Sequence, residues 1–465
     1  MRAAPPTGCG CATSRNPTGF CTSPSRSCRR VDPAAPTAHA GDERAVRQTF
    51  RTLRIHNYRL WAMGALVSNI GTWMQRVAQD WVVLTHLTAH DASAVGIVMA
   101  LQFGPIALLL PLSGLVADRC DRRKVLMLTQ AAMGMVALGA GSLLLLGRLT
   151  LWEVWGFALL LGITTAFDSP SRQTFVAEMV GEAELANAVA LNSASFNLGR
   201  MLGPAVAGGL LAVLGAGWVF VLNAGSFGAV LLALGAMRTQ DLHRGKARAP
   251  GRTGLAAGFA YVRRRRDLTA IVTMLFLIGT FGLNFPIYIA TMAVTTFHVG
   301  AGQFGLLTTL MASGSVVGAL VSAGWKTRGM ALLVRAACAF GTGCALAAVM
   351  PRYALFGLML VPLGIATQIF NTSANALVQM GTAPEMRGRV MAIVLGLALG
   401  GTLIGAPFVG WVADALGPRW AMGVGALAGL MAAAVGGVQI LHARETEGEQ
   451  TPGARPARRT GWPIR

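Results

Sequence analysis

The stretch Gly114-Leu115-Val116-Ala117-Asp118-Arg119-Cys120-Asp121-Arg122-Arg123-Lys124-Val125-Leu126 decides the fold class through what flanks it. Ala92 to Ala117 carries no Asp, Glu, Lys or Arg, and neither does Val125 to Gly147. Each flank reaches the length of about 20 apolar residues that a helix needs to cross a bilayer. Six charges packed between two such spans, with a net positive balance, read as a tight turn on the cytoplasmic face.

The rest of the chain agrees. Of its 465 residues 54% are hydrophobic and 12% charged, the composition of a polytopic membrane protein. The formal charge of +20 does not point to nucleic acid, because the basic residues of a membrane protein collect in its cytoplasmic loops and tails. Cys9, Cys11, Cys21 and Cys28 lie near the N-terminus without the paired spacing of a zinc site, and are expected to be free thiols.

Working outward from the turn, twelve spans are expected, at about 60–84, 93–117, 125–147, 152–170, 187–213, 217–237, 268–291, 303–325, 330–350, 353–375, 389–415 and 420–441. The predicted fold is therefore an all-α polytopic membrane protein of two six-helix halves, residues 47–237 and 268–442. A basic linker, 238–267, joins them, and tails at 1–46 and 443–465 have a composition that cannot bury a core. With both termini inside, eighteen Lys and Arg fall in cytoplasmic loops against Arg148, Arg352 and Arg419 outside, which sets the orientation. Leu255 to Arg266, ending in four consecutive arginines, is expected to be an amphipathic helix on the anionic inner leaflet.

The halves echo one another. Leu161-Gly162-Ile163 returns as Leu363-Gly364-Ile365, and Gly203-Pro204-Ala205-Val206 as Ala406-Pro407-Phe408-Val409, both about 203 residues on. Gly114-Leu115-Val116-Ala117-Asp118 also returns, off that register, as Gly410-Trp411-Val412-Ala413-Asp414; this is coincidence or an older symmetry.

The Gly114 to Lys124 turn resembles the loop between helices 2 and 3 of major facilitator superfamily transporters. The resemblance implies that Gly114, Asp118, Arg119, Arg122 and Arg123 latch the halves in the outward-facing state and release them during alternating access. Asp121 stands where that superfamily often has Gly, either tightening the charge network or being tolerated there. Gly199, Gly203, Pro204 and Gly208 in span 5 resemble the signature of superfamily antiporters, associated with export. Phe167-Asp168-Ser169-Pro170-Ser171-Arg172, together with Trp73-Met74-Gln75-Arg76, is similar to the branch that includes the enterobactin exporter and macrolide efflux proteins.

Charges inside spans mark candidate sites, since an unpaired charge in hydrocarbon costs at least about 3 kcal/mol. Arg76 and Asp80 stand one turn apart in span 1, and Arg200 near the midpoint of span 5. Either Asp80 neutralises Arg76 within its helix, or all three line a central cavity where arginine binds solute and Asp80 carries a proton. Asp168 beside Arg172 reads first as a structural cap or latch, with proton coupling as the other reading. Asn223, Asn284, Gln368 and Asn371 are amides that bond neighbouring helices or touch solute.

No phosphate-binding loop, zinc-protease motif or nucleophile elbow occurs, so ATP-driven transport and catalysis are not expected. The expectation is a monomeric secondary transporter in the cell's inner membrane, using no cofactor beyond the proton gradient and contacting membrane lipid. It would export a small amphipathic or anionic organic molecule by proton antiport. Nutrient import on the same fold and lipid translocation are the alternatives.

Overall fold

The computed structural model describes residues 51–182, 184–243, 255–325 and 329–449. The expected N-terminal tail, residues 244–254 of the linker, Lys326, Arg328 and residues 450–465 lie outside the described residues.

Every regular element among the described residues is helical. Seven helices precede the linker: α1 (His56–Val82), α2 (Ala92–Leu108), α3 (Leu110–Arg119), α4 (Arg122–Leu145), α5 (Leu151–Val180), α6 (Leu185–Val213) and α7 (Ala216–Ala236). Helix α8 (Leu255–Arg264) lies within the linker, and seven more come after: α9 (Arg266–Leu277), α10 (Phe285–Thr291), α11 (Ala301–Ala323), α12 (Met330–Val349), α13 (Tyr353–Gly381), α14 (Pro384–Leu416) and α15 (Pro418–Glu449). By length and composition ten spans could cross a membrane, and the bent pair α2–α3 makes eleven. Helix α1 has 27 residues, enough to cross, but Arg59, Arg76 and Asp80 make it more polar than the others.

Three spans differ from the expected boundaries for identifiable reasons. The second is broken at Leu109, beyond Pro105, and its pieces meet at 59°. The fourth runs to Val180 rather than ending near residue 170, so Asp168 lies well inside it. Its start is fixed by a capping box in which the Glu153 carboxylate takes the Thr150 N–H at 2.7 Å. The seventh is interrupted by a π-turn at Ile278–Gly282, and α10 restarts with Pro286 in its first turn, where the missing N–H costs nothing.

Helices α1 to α7 pack mainly on one another, as do α9 to α15, and the principal contacts across are α2 with α14 and α6 with α11. In the first group Tyr58 Oη donates to the Ala188 carbonyl at 2.9 Å, and Asn57 exchanges two hydrogen bonds with the Arg238 backbone. The α2–α14 crossing is close. A Cβ on Gly96 would lie 2.4 Å from the Ala406 carbonyl oxygen, and one on Gly410 2.6 Å from that of Ala92. Helix α8 seats Gly258 against Ile393 and Arg389 of α14 and leaves Phe259, Arg263 and Arg264 exposed.

Candidate functional site

A cavity of about 380 Å³ opens between the two helix groups, lined by residues of α1, α2 and α6 on one side and α10, α11, α13 and α14 on the other. That is within the range of sites for small organic molecules. Its walls are largely apolar and aromatic, including Trp73, Phe103, Phe285 and Phe304. Its charged lining residues are Arg76, Asp80 and Arg200, so it carries two guanidinium groups and one carboxylate.

Helical spacing explains why these side chains meet. Trp73, Arg76, Val77 and Asp80 recur at three- and four-residue intervals, which puts them on one stripe of α1. The Arg76 guanidinium lies 5.0 Å from the Trp73 ring centroid and 5.2 Å from that of Phe103, a cation–π sandwich worth about 1 kcal/mol per face or more when desolvated. Its buried Nε makes no hydrogen bond, and neither does that of Arg200. Arg200 Nη2 reaches Gln368 Oε1 on α13 at 3.4 Å, a polar contact between the two helix groups. Each arginine therefore keeps unmet donor capacity at the cavity.

The other candidates are placed differently. Asn371 lines the cavity, and Gln368 adjoins it through Arg200 while donating to Thr372 at 3.1 Å. Asn223 is buried behind α1, donating to Gln75 Oε1 at 2.6 Å and accepting from Ser226. Asn284 donates to the Thr280 carbonyl at 2.8 Å across the break before α10. Asp168 is enclosed between α4 and α5, accepting from Thr129 at 2.9 Å, Gln130 at 2.8 Å and Arg172 Nε at 2.9 Å. Arg172 in turn lies over the Trp61 ring. Replacing Asp168 by Ala strands these donors in the interior and is expected to cost about 3 kcal/mol or more, read as a lower thermal-unfolding midpoint in detergent.

At the charged turn, Arg122 pairs with Glu178 of α5 and donates to the Ala117 carbonyl at 3.0 Å. Arg123 bonds the Leu234 and Gly235 carbonyls at the end of α7. Asp121 is the N-cap of α4, accepting from the Lys124 N–H at 3.2 Å, which accounts for an acid at that position. Asp118 and Arg119 are exposed and make no side-chain bond, and nothing lies within 4 Å of a Cβ built on Gly114. Glu178 escaped the sequence reading, although an acid at the end of a span beside a basic turn is a usable signal.

The α6 glycines divide between two neighbours. A Cβ on Gly203 would fall 2.5 Å from Trp73 Cβ on α1, while one on Gly208 would meet Gly305 Cα of α11 at 3.1 Å.

At the opposite end of the molecule the helix groups are fastened. Asp414, at the C-terminal end of α14, takes the Ala92 N–H at 2.7 Å and the Ser93 N–H at 2.8 Å. The Ser93 hydroxyl donates to the same carboxylate at 2.5 Å. Contacts along α2 and α14 continue as far as Ala107 against Gly400. The two helix groups are thus fastened at the Asp414 end, while Asp118 at the other end is exposed.

Residues 47–457 match the model of the family described as transmembrane secretion effector. The staphyloferrin A transporter of Staphylococcus aureus (strain NCTC 8325 / PS 47) is 26% identical over 334 residues, 70% of this chain and 82% of its own. The multidrug efflux pump Tap of Mycolicibacterium fortuitum is 26% identical over 375 residues, 76% and 88%. The enterobactin exporter EntS of Shigella flexneri is 25% identical over 347 residues, 72% and 80%. Among solved structures, a bacterial homologue of the human lysosomal transporter Spinster, inward-facing and occupied, superposes with TM-score 0.68 at 16% identity. The match covers 86% of this chain and 99% of that one.

Proposed function

Because the chain belongs to the transmembrane secretion effector family of major facilitator transporters, we propose that it exports a small organic molecule across the cell's inner membrane in exchange for protons. It is a multi-pass membrane transporter and not an enzyme. In this reading α1 and the α2–α3 pair join the ten other spans, of which the interrupted α9–α10 is one, to make twelve crossings in two halves of six. Both termini and the Asp118 end face the cytoplasm. Export is supported by the siderophore and drug exporters among the relatives and by the Gly-Pro face of α6.

The observation that carries the mechanism is the cavity holding Arg76, Asp80 and Arg200 between the helix groups. Its lining comes from a single chain, so a monomer suffices for the transport proposed here. Antiport requires cargo and proton to exclude each other. Asp80 is the sole acid among the lining residues, and its carboxylate cannot both carry a proton and accept a hydrogen bond from cargo at the same oxygen. Cargo therefore presents a donor to Asp80 and its acidic or polar part to Arg200, with aromatic surface against Trp73 and Phe103. Binding from the cytoplasm releases the proton, rocking of the halves exposes cargo outside, and a proton on Asp80 displaces it.

In this reading the unbonded Asp118 belongs to an inner latch that is released while the Asp414 end is fastened and engages when that end parts. An Asp118→Asn variant is expected to insert normally and to lower the initial efflux rate about tenfold, a barrier change of about 1.4 kcal/mol. Efflux at the parent's rate would remove the latch from the mechanism.

The export reading is tested by accumulation of labelled siderophores, dyes and antibiotics in an efflux-deficient bacterial host expressing the chain, with and without a protonophore. Lower accumulation that the protonophore abolishes is the expected result. Higher accumulation, raised further by an acidic medium, would make the protein an importer instead.

A further inference from the structure

The two five-residue repeats Gly114 to Asp118 and Gly410 to Asp414 occupy equivalent places in the molecule. Each ends with an Asp at or beside the C-terminus of its helix, α3 or α14, and α2–α3 and α14 run antiparallel against each other. The family resemblance implies a latch at the Asp118 end. At the other end the Asp414 carboxylate caps the first turn of α2, taking the Ala92 and Ser93 N–H groups and the Ser93 hydroxyl. Asp91 takes the next N–H of the same turn, that of Ala94, at 3.0 Å. Two carboxylates from opposite sides of the helix-group boundary thus converge on three successive N–H donors.

We propose that Asp414 and Asp91 form an outer latch that holds the cavity shut toward the outside and binds one proton from that side when it closes. The proposal rests on the orientation given above. An anion at a helix N-terminus is favoured by the helix dipole and by unpaired N–H groups, and here that anion is delivered by the other half of the molecule. Close packing makes the contact all-or-none, because Gly410 lies where a Cβ would meet the Ala92 carbonyl oxygen at 2.6 Å. Rocking that parts α14 from α2 at this end must break all three Asp414 bonds together.

Closure also brings the two carboxylates together. Burial pushes the Asp91 carboxyl up from its ordinary value, and the neighbouring Asp414 charge adds to this while the Ala94 N–H opposes it. The closed arrangement therefore favours a proton on Asp91 more than the parted one does, so lowering the outside pH favours closure and raising it favours opening. The other ionisable groups on outer segments are His86, His90, Arg148, Glu153, His298, Arg352, Tyr353 and Arg419. None of them bonds either carboxylate, and Glu153 is engaged by Thr150. A proton taken from outside would so return the emptied transporter to the inward-facing state.

The test places a cysteine in the cavity wall, Thr308→Cys, and follows its labelling by a membrane-impermeant maleimide in intact cells and in inverted vesicles. Adding Asp414→Asn is expected to raise labelling from the outside at least about tenfold, equivalent to about 1.4 kcal/mol, and to lower it from the vesicle side. Ser93→Ala, which removes one bond and leaves the fold intact, should move labelling the same way by less. Asp91→Asn imitates the protonated acid and keeps the Ala94 cap. The ratio of outside labelling in the Thr308→Cys parent to that with Asp91→Asn added should approach one at about pH 5 and rise toward about pH 8, near and above the carboxylate range. This comparison cancels the pH dependence of the reagent. Unchanged labelling with both Asp414→Asn and Ser93→Ala would overturn the latch. A flat Asp91 ratio would overturn its proton. Because labelling needs no transport, failed export with these shifts intact would count against the function and not against the latch. Shifts of opposite sidedness would count against the orientation on which both rest.

Discussion

Asp80→Asn is expected to abolish protonophore-sensitive efflux while leaving exchange of labelled for unlabelled cargo across the membrane intact. Net efflux against a gradient should fall by about a hundredfold, a loss of about 2.7 kcal/mol of coupling. The asymmetry follows from the cavity's charge inventory. Arg76 and Arg200 cannot release protons near neutral pH, and no other acid lines the cavity wall. Of the other acids near the spans, Asp168 is engaged by Thr129, Gln130 and Arg172, Glu178 by Arg122 and Asp414 by the first turn of α2, while Asp118 is exposed away from the cavity. An amide at position 80 still accepts a cargo donor, so the cavity continues to load and the halves continue to rock. What disappears is the competition that lets a proton expel cargo. A variant that still concentrates cargo against its gradient under an imposed pH difference would move coupling away from Asp80.

Several of these relations were legible before any coordinates. The charge-free flanks of the Gly114 to Leu126 turn and the family resemblance both gave a helical membrane transporter. Arg76, Asp80 and Arg200 stood out because charge in an apolar span is costly, and the fold brings all three to one cavity. Trp73, Phe103 and Phe285 did not stand out as cavity walls, because an aromatic in an apolar span carries no sign of whether it faces lipid, a helix or a void. Asn223 and Asp168 had the same polarity as the cavity residues but are satisfied by Gln75 and by Thr129 and Gln130. Which polar group finds a partner is a property of helix rotation and packing, and single-sequence periodicity does not fix it. The break before α10 was hidden for a similar reason. Ile278 to Thr296 carries no charged residue, so hydropathy sees one span where Gly279, Gly282 and Pro286 divide it.

Gly305→Val is expected to remove transport almost completely, to less than about a hundredth of the parent rate, in protein that still reaches the membrane. The reason lies in the α6–α11 crossing, one of the two principal contacts between the helix groups. A Cβ on Gly305 would come 2.6 Å from Gly208 Cα and 2.7 Å from the Pro204 carbonyl oxygen. Both are backbone atoms, and neither can turn aside as the end of a side chain would. Pro204 adds to the constraint, since its ring fixes the local backbone that presents this carbonyl. Overpacking of this kind costs about 1–3 kcal/mol in a core that can adjust, and more where backbone meets backbone. Each group packs mainly on itself, so the cost falls on the crossing between them and not on the folding of either. The expected product is a folded protein whose closed-outside state is raised in energy. Labelling of Thr308→Cys from the outside should therefore increase as transport falls. If Gly305→Val transported normally, α6 and α11 would not need this close approach at any point in the cycle.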